Sequence, residues 1–192
     1  SNHGTVSGTF SGTSTVALGF NNTGSTNGIT ITVSDAVNYA DADSLRGKTS
    51  ASVTYTNNIV DVLTNFFQSD TNNVKANSND IVAKDSTVLY KIGSISTDLS
   101  GNDTFTRQSL DPTDADVIAK INALTESLNS DGNNGALVAG FSNSSDIDNF
   151  DDLEANGGLT ANDIEVTITE QLTTNGDLDK LNTLAGKTGG VL

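Results

Sequence analysis

The chain has no cysteine, no methionine, no tryptophan and a single proline, Pro112. Without cysteine there can be no disulfide framework and no thiolate metal site. Without methionine even an initiator is missing, which points to a mature form or an excised piece. Aromatic residues are sparse, three Tyr and seven Phe. That leaves no evident stacking platform for a sugar ring, so a glycan-binding adhesin domain stands only as an alternative. The lone histidine, His3, is the third residue of the sequence. No Gly-x-Ser-x-Gly, His-Glu-x-x-His or Cys/His pair exists. Apolar stretches long enough to cross a membrane are absent, and "SNHGTVSGTF" is not a signal peptide.

Positive charge is also scarce. Nine Lys and Arg face 24 Asp and Glu, a net charge of −15. Nothing here neutralises a run of phosphates, which excludes nucleic acid as a partner, and the charge disfavours anionic membrane surfaces. The acidity comes from aspartate, 20 Asp against 4 Glu. Asp set among Asn and Gly is turn chemistry and also the chemistry of hard-cation ligands. Two readings follow: solvated turns, or turns ordered by calcium. The calcium candidates are Asp103 in "SGNDTF", Asp146, Asp148, Asp151 and Asp152 in "SDIDNFDDLE", and Asp163 in "NGGLTANDIEV". The first resembles half of a Gly-Gly-x-Gly-x-Asp β-roll repeat. The second lacks the glycine and terminal spacing of an EF-hand loop.

What is abundant is small and polar: Ser, Thr, Asn, Asp and Gly fill 108 of the 192 positions. The apolar remainder sits in short runs rather than being scattered, which predicts short strands alternating with short helices. The expected fold is a β-rich α+β protein, solenoid-like or sandwich-like. Three segments are expected: an N-terminal strand region over 1–28, a main module over 29–162, and a second repeat or closing strand–helix–strand over 163–192. In the first segment Val6, Phe10, Val16 and Leu18 share even positions, which predicts one face of extended strands. These four are the candidate assembly residues, suited to pairing with a neighbour's sheet edge. "ITITV" reads as a strand, and "NNIVDVLTNFF" has apolar residues at helical spacing. In "LDPTDADVIAKINALTESLNSDG", Asp111 is the expected cap and Pro112 the first helical residue.

One phrase occurs twice. "LRGKTSASV" spans Leu45–Val53 and "LAGKTGGVL" spans Leu184–Leu192. A phosphate-binding loop needs a glycine five positions before the Gly of Gly-Lys, and those positions are Ala42 and Leu181. Both copies also follow a predicted helix instead of opening one. The expected role is a helix stop: glycine in a left-handed C-terminal position, lysine on the negative end of the dipole, threonine opening the next strand. Each copy is preceded by a strand of the form x-Thr-apolar-[Ser/Thr]-[Asp/Glu]. The strands lie 135 residues apart and the glycines 139 apart, so a repeat restarts near the C-terminus.

This cadence, over Ile29 to about Thr97 and Asp163–Leu192, resembles the repeat modules of secreted surface proteins of cyanobacteria and related marine bacteria. Those are surface-layer or giant haemolysin-type calcium-binding chains. The resemblance implies an extracellular, cell-surface, non-enzymatic structural module that self-associates into a layer, fibre or adhesin, usually stiffened by calcium. A pilus-like or phage-fibre subunit joined by donated strands is the alternative assembly.

Overall fold

The computed structural model describes residues 4–21, 27–69, 71–75, 89–97, 100, 103–130, 135–141, 146–154 and 162–192. The described strands are β1 (Val6–Gly12), β2 (Asn27–Val33), β3 (Val53–Tyr55), β4 (Ile59–Asp61), β5 (Leu89–Thr97), β6 (Asp103–Arg107), β7 (Ala136–Phe141) and β8 (Asn162–Val166). The described α-helices are α1 (Ser14–Leu18), α2 (Tyr39–Arg46), α3 (Ala115–Ser130) and α4 (Asn175–Ala185), with 3-10 turns at Leu63–Phe66 and Ile147–Phe150.

Strands and short helices alternate as expected, but the pairing makes this an α/β fold. One sheet runs β1-β2-β3 and the other β4-β5-β7-β8, every neighbour parallel. Only β6 runs antiparallel, against β5. The two sheets are continuous through Val37, which follows β2 and bridges to Ile59 in β4. Val37 N–H donates to Asn58 O at 3.1 Å and Val60 N–H returns to Val37 O at 2.8 Å. Register offsets are short where helices are short. Val6 faces Asn27, Ile31 faces Val53, and Leu137 faces Asn162. Parallel pairing requires a crossover between strands, and each short helix supplies one.

The burial pattern follows from this order. β2 and β8 bury alternate residues, Ile31 and Val33 in one and Ile164 and Val166 in the other. β7 is buried along its whole length, as expected of an interior parallel strand covered on both faces. The long helix α3 packs on it and buries Ile118, Ile121, Leu124 and Leu128. A single apolar core runs from Ala17 to Leu184. The segment boundaries expected at 28/29 and 162/163 fall inside β2 and β8, and neither divides this core.

Three local expectations are corrected. Val16 and Leu18 lie on α1, off the β1 strand that carries Val6 and Phe10, because Asp35 accepts hydrogen bonds from Ser14 and holds a helical turn there. The stretch 57–67 is a strand and a 3-10 turn instead of a helix. Ile59 pairs on both sides, with Val37 and with Tyr90, and those partners outweigh local helical spacing. The helix α3 starts one turn later than its proline suggests. Asp111 bonds Thr113, whereas Asp114 O receives the first helical N–H groups from Val117 and Ile118.

Candidate functional site

The two Gly-Lys-Thr copies fold into one repeated device. In the first, α2 opens on Asn38, whose side chain accepts from Asp41 N–H, and closes at Gly47. The chain then drops beside β2. Thr49 is buried, its hydroxyl 2.6 Å from Ile29 O and 3.1 Å from Asn27 O, and it accepts from Ala51 N–H at 3.0 Å. Ser50 N–H donates to Asn27 O at 2.7 Å, and Ile31 N–H donates to Ser52 O at 3.0 Å, which sets the register for β3.

The second copy repeats these contacts atom for atom. After α4 closes at Gly186, the buried Thr188 hydroxyl lies 2.6 Å from Ile164 O and 3.1 Å from Asn162 O. Gly190 N–H donates to Thr188 Oγ1 at 3.0 Å, Gly189 N–H to Asn162 O at 2.7 Å, and Val166 N–H to Val191 O at 2.9 Å. Threonine serves both places because its hydroxyl meets carbonyl and amide groups while its methyl stays in a packed interior.

The lysine does not act on its own helix. Lys48 Nζ donates to Phe20 O at 3.0 Å, just past the end of α1. Lys187 Nζ donates to Phe150 O at 3.3 Å and Asp151 O at 2.8 Å, at the end of the second 3-10 turn. Each cation thus complements the carbonyl end of the preceding short helix. Nor are the glycines left-handed: φ is −73° at Gly47 and −80° at Gly186. A Cβ there would stand 3.4 Å from Ser44 O or 3.3 Å from Thr183 O, so close backbone approach suits glycine at this step.

The repeat extends upstream of what the sequence displays. Phe10, opposite Ile31, meets Phe20 edge-on with ring centres 4.9 Å apart. Phe141, opposite Val166, meets Phe150 edge-on at 5.3 Å. Each repeat is therefore two strands, a short helix or 3-10 turn with the lysine-bound Phe at or just past its end, a longer helix, and Gly-Lys-Thr. The Phe pairs were legible only as two aromatics about ten residues apart, too common a spacing to signal anything.

A second device ties each unit to the previous one. A polar residue at or after the end of a strand accepts the first N–H of a preceding helix or turn. Asp35 accepts from Ser14 N–H and its hydroxyl, both at 2.6 Å. Asp61 accepts from Tyr39 N–H at 3.0 Å, Gln108 from Leu63 N–H at 3.1 Å, and Glu170 from Ile147 N–H at 2.5 Å. An N-terminal helix turn has unsatisfied N–H groups that such acceptors stabilise. For α1 and the turn at Leu63–Phe66, whose own N-caps make no side-chain bond, this is the side-chain cap. The terminal helix α4 carries its own capping box between Thr174 and Asp177. There the N–H groups of Thr173 and Thr174 hold the Asp177 carboxyl below the usual carboxylate range.

Four of the calcium candidates lie on or beside the second 3-10 turn. Asp146 caps the 3-10 turn by accepting from Asp148 N–H. Asp148 pairs with Lys180, whose Nζ also lies 3.7 Å from Asp151, and the Asp148 bond raises the lysine's pKa. Asp152 is exposed, and its carbonyl accepts from Asn122 at 2.7 Å. Asp163 is half-buried on β8, and the Asp103 side chain lies outside the described residues. Among the described residues no three acidic or histidine side chains converge as a metal-binding group. Of the assembly residues, Val6 and Val16 are exposed, while Phe10 and Leu18 are half-buried against the core. No described helix is long and apolar enough to cross a membrane.

Chemically, this arrangement ties backbone to backbone. Comparison with family models, with curated proteins and with solved structures returns no match.

Proposed function

We propose that the chain is a non-enzymatic structural module of an extracellular bacterial surface assembly, built as a solenoid of parallel strand-and-helix coils and joined to neighbours through strand edges. The observation that carries this reading is the twin clamp: Thr49 on β2 and Thr188 on β8 make the same pair of bonds in two parts of one chain. A side chain used twice in the same way serves the stacking of coils, whereas a catalytic group is needed once. Support also comes from the four acceptors that cap the preceding coil's helix, since they couple nearest neighbours, the hallmark of a quasi-one-dimensional array.

The extracellular placement rests on composition: no cysteine, a net charge of −15, and turns rich in Asn, Asp and Ser. The strand-edge contact rests on β1, the terminal strand of its sheet. Its sequence, VSGTFSG, has no charge, proline or lysine of the kind that guards exposed edges. Electron microscopy of the purified chain across a concentration series tests the reading. Fibres or a regular lattice are expected, and single particles at every concentration would count against it.

A further inference from the structure

Resting on the reading that strand edges join neighbours, we infer that β6 is a self-complementary docking edge. It pairs antiparallel with β6 of a second copy, centred on Phe105, about a two-fold axis. β6 departs from the rest of the fold. The other described strand pairs are parallel, whereas β6 runs antiparallel to β5 and lies off the path of the strands. β5 is nine residues long. Leu89–Ile92 pair with β4 and β7, and from Gly93 onward the partner among the described residues is β6 alone. The two strands therefore project as a hairpin from the middle of the strand order. A two-stranded hairpin is marginal by itself, and added strands stabilise it.

The backbone sets which groups are offered. Bonded and unbonded residue pairs alternate along an antiparallel ladder. Gln108 N–H donates to Ile92 O at 3.1 Å, so the bonded pairs continue at Thr106 with Ser94 and Thr104 with Ser96. The N–H and C=O groups of Asp103, Phe105 and Arg107 therefore point away from β5. Among the described residues nothing bonds to the backbone of Phe105 or Arg107 on that side. Such a row templates another strand. Antiparallel pairing centred on Phe105 matches all three residues with the same three of a second copy, each pair exchanging both bonds.

The side chains select this partner and this register. The sequence Asp-Thr-Phe-Thr-Arg places Asp103 opposite Arg107 of the second copy, Arg107 opposite its Asp103, Thr104 opposite Thr106, and Phe105 opposite itself. Opposite charges, threonine pairs and aromatic pairs are favourable cross-strand neighbours, and like charges are not. Any slip of the register loses both ion pairs. Phe105 is held in place within its own chain: a Cβ at Gly93 would stand 3.0 Å from its ring, and Lys91 Nζ lies 4.7 Å from the ring centre. Arg107 pairs with Glu165, and its guanidinium has donors for a second carboxylate. Charge points to the same place. Residues 89–110 contain Lys91, Arg107, Asp98 and Asp103, which cancel, in a chain of net charge −15. Two such acidic copies repel through most pairings of their surfaces, and here they meet without adding like charge. The contact is isologous, so it closes a dimer.

The test reverses the two charges in the full chain, Asp103→Arg in one variant and Arg107→Asp in another, examined by sedimentation velocity over a concentration series. Wild type should show a monomer–dimer step at the foot of any larger ladder. Each variant alone sets like charges opposite one another, and the concentration at which it dimerises should rise about ten-fold or more. An equimolar mixture should recover the dimer with one chain of each, because every Arg then faces an Asp. The chain carrying both reversals should dimerise with itself as wild type does. Circular dichroism and thermal melting check folding. Should Arg107→Asp fail to fold without its bond to Glu165, Asp103→Arg alone must still lose the dimer, and Asp103→Asn must lose less of it. Dimerisation unchanged by the reversals, or variants that do not complement in the mixture, would overturn the β6 contact and leave the structural reading standing. Wild type that stays monomeric at every concentration would overturn both.

Discussion

Thr188 and Ile164 meet twice: Ile164 N–H donates to the Thr188 hydroxyl at 3.0 Å, and that hydroxyl lies 2.6 Å from Ile164 O. Thr49 holds Ile29 O at the same 2.6 Å. Replacing either threonine by valine keeps the shape and removes the hydroxyl, leaving buried carbonyl and amide groups unpaired. Each substitution is expected to lower stability by ~1–3 kcal/mol, and Thr→Ser by much less. Chemical denaturation of the four variants checks this. Equal midpoints for wild type and both valine variants would show that the hydroxyls carry no weight.

The asparagines beneath the clamps are buried alike but bonded differently. Asn27 Nδ2 donates to Lys48 O at 2.6 Å and Asn27 Oδ1 accepts from Ile29 N–H at 3.1 Å. Among the described residues neither side-chain polar atom of Asn162 has a partner, and the Ile164 N–H goes to Thr188 instead of to Asn162 Oδ1. Asn27→Ala should therefore cost ~1–3 kcal/mol, and Asn162→Ala clearly less, because it also removes two desolvated groups. Paired denaturation curves decide the order.

The link from β2 back to α1 can be cut at one side chain. Asp35→Ala removes both acceptors of Ser14 and leaves α1 without a side-chain cap. A loss of ~1–2 kcal/mol is expected. Amide exchange over 14–18 should accelerate more than exchange in β7, because the change acts on a nearest-neighbour contact.

How much of this was visible beforehand depended on how local the cause was. The strand at Ile29–Val33 and the helix beyond Pro112 follow from runs and signals within one segment, and they stand in the structure. The Gly-Lys-Thr repeat was visible because its residues are contiguous. Its mechanism was not, because Lys48 acts on Phe20 and Lys187 on Phe150, partners 28 and 37 residues away. The helix at Ser14–Leu18 was hidden for the same reason: the group that holds its first turn, Asp35, belongs to the next strand. Ile59 reads as helical within its own segment and becomes strand because Val37 and Tyr90 flank it.

Acid should weaken α4 first at its N-terminal cap. The folded-state pKa of Asp177 is depressed by the N–H groups of Thr173 and Thr174. Its contribution is therefore present above the ordinary aspartate value of about 3.9 and is lost as pH falls through the lower folded value. Asp177→Asn should be less stable than wild type at neutral pH and match it once that range is passed. Melting curves across an acid series give the comparison, and parallel curves for the two proteins would contradict it.

The account rests on strand edges and backbone clamps as the working parts of the molecule. The most direct measurement is amide hydrogen exchange over Val6–Gly12, compared between dilute chain and assembled material. The account predicts that these amides slow on assembly, while β7 is unchanged. Assemblies in which β1 exchanges as fast as in the dilute chain would contradict it.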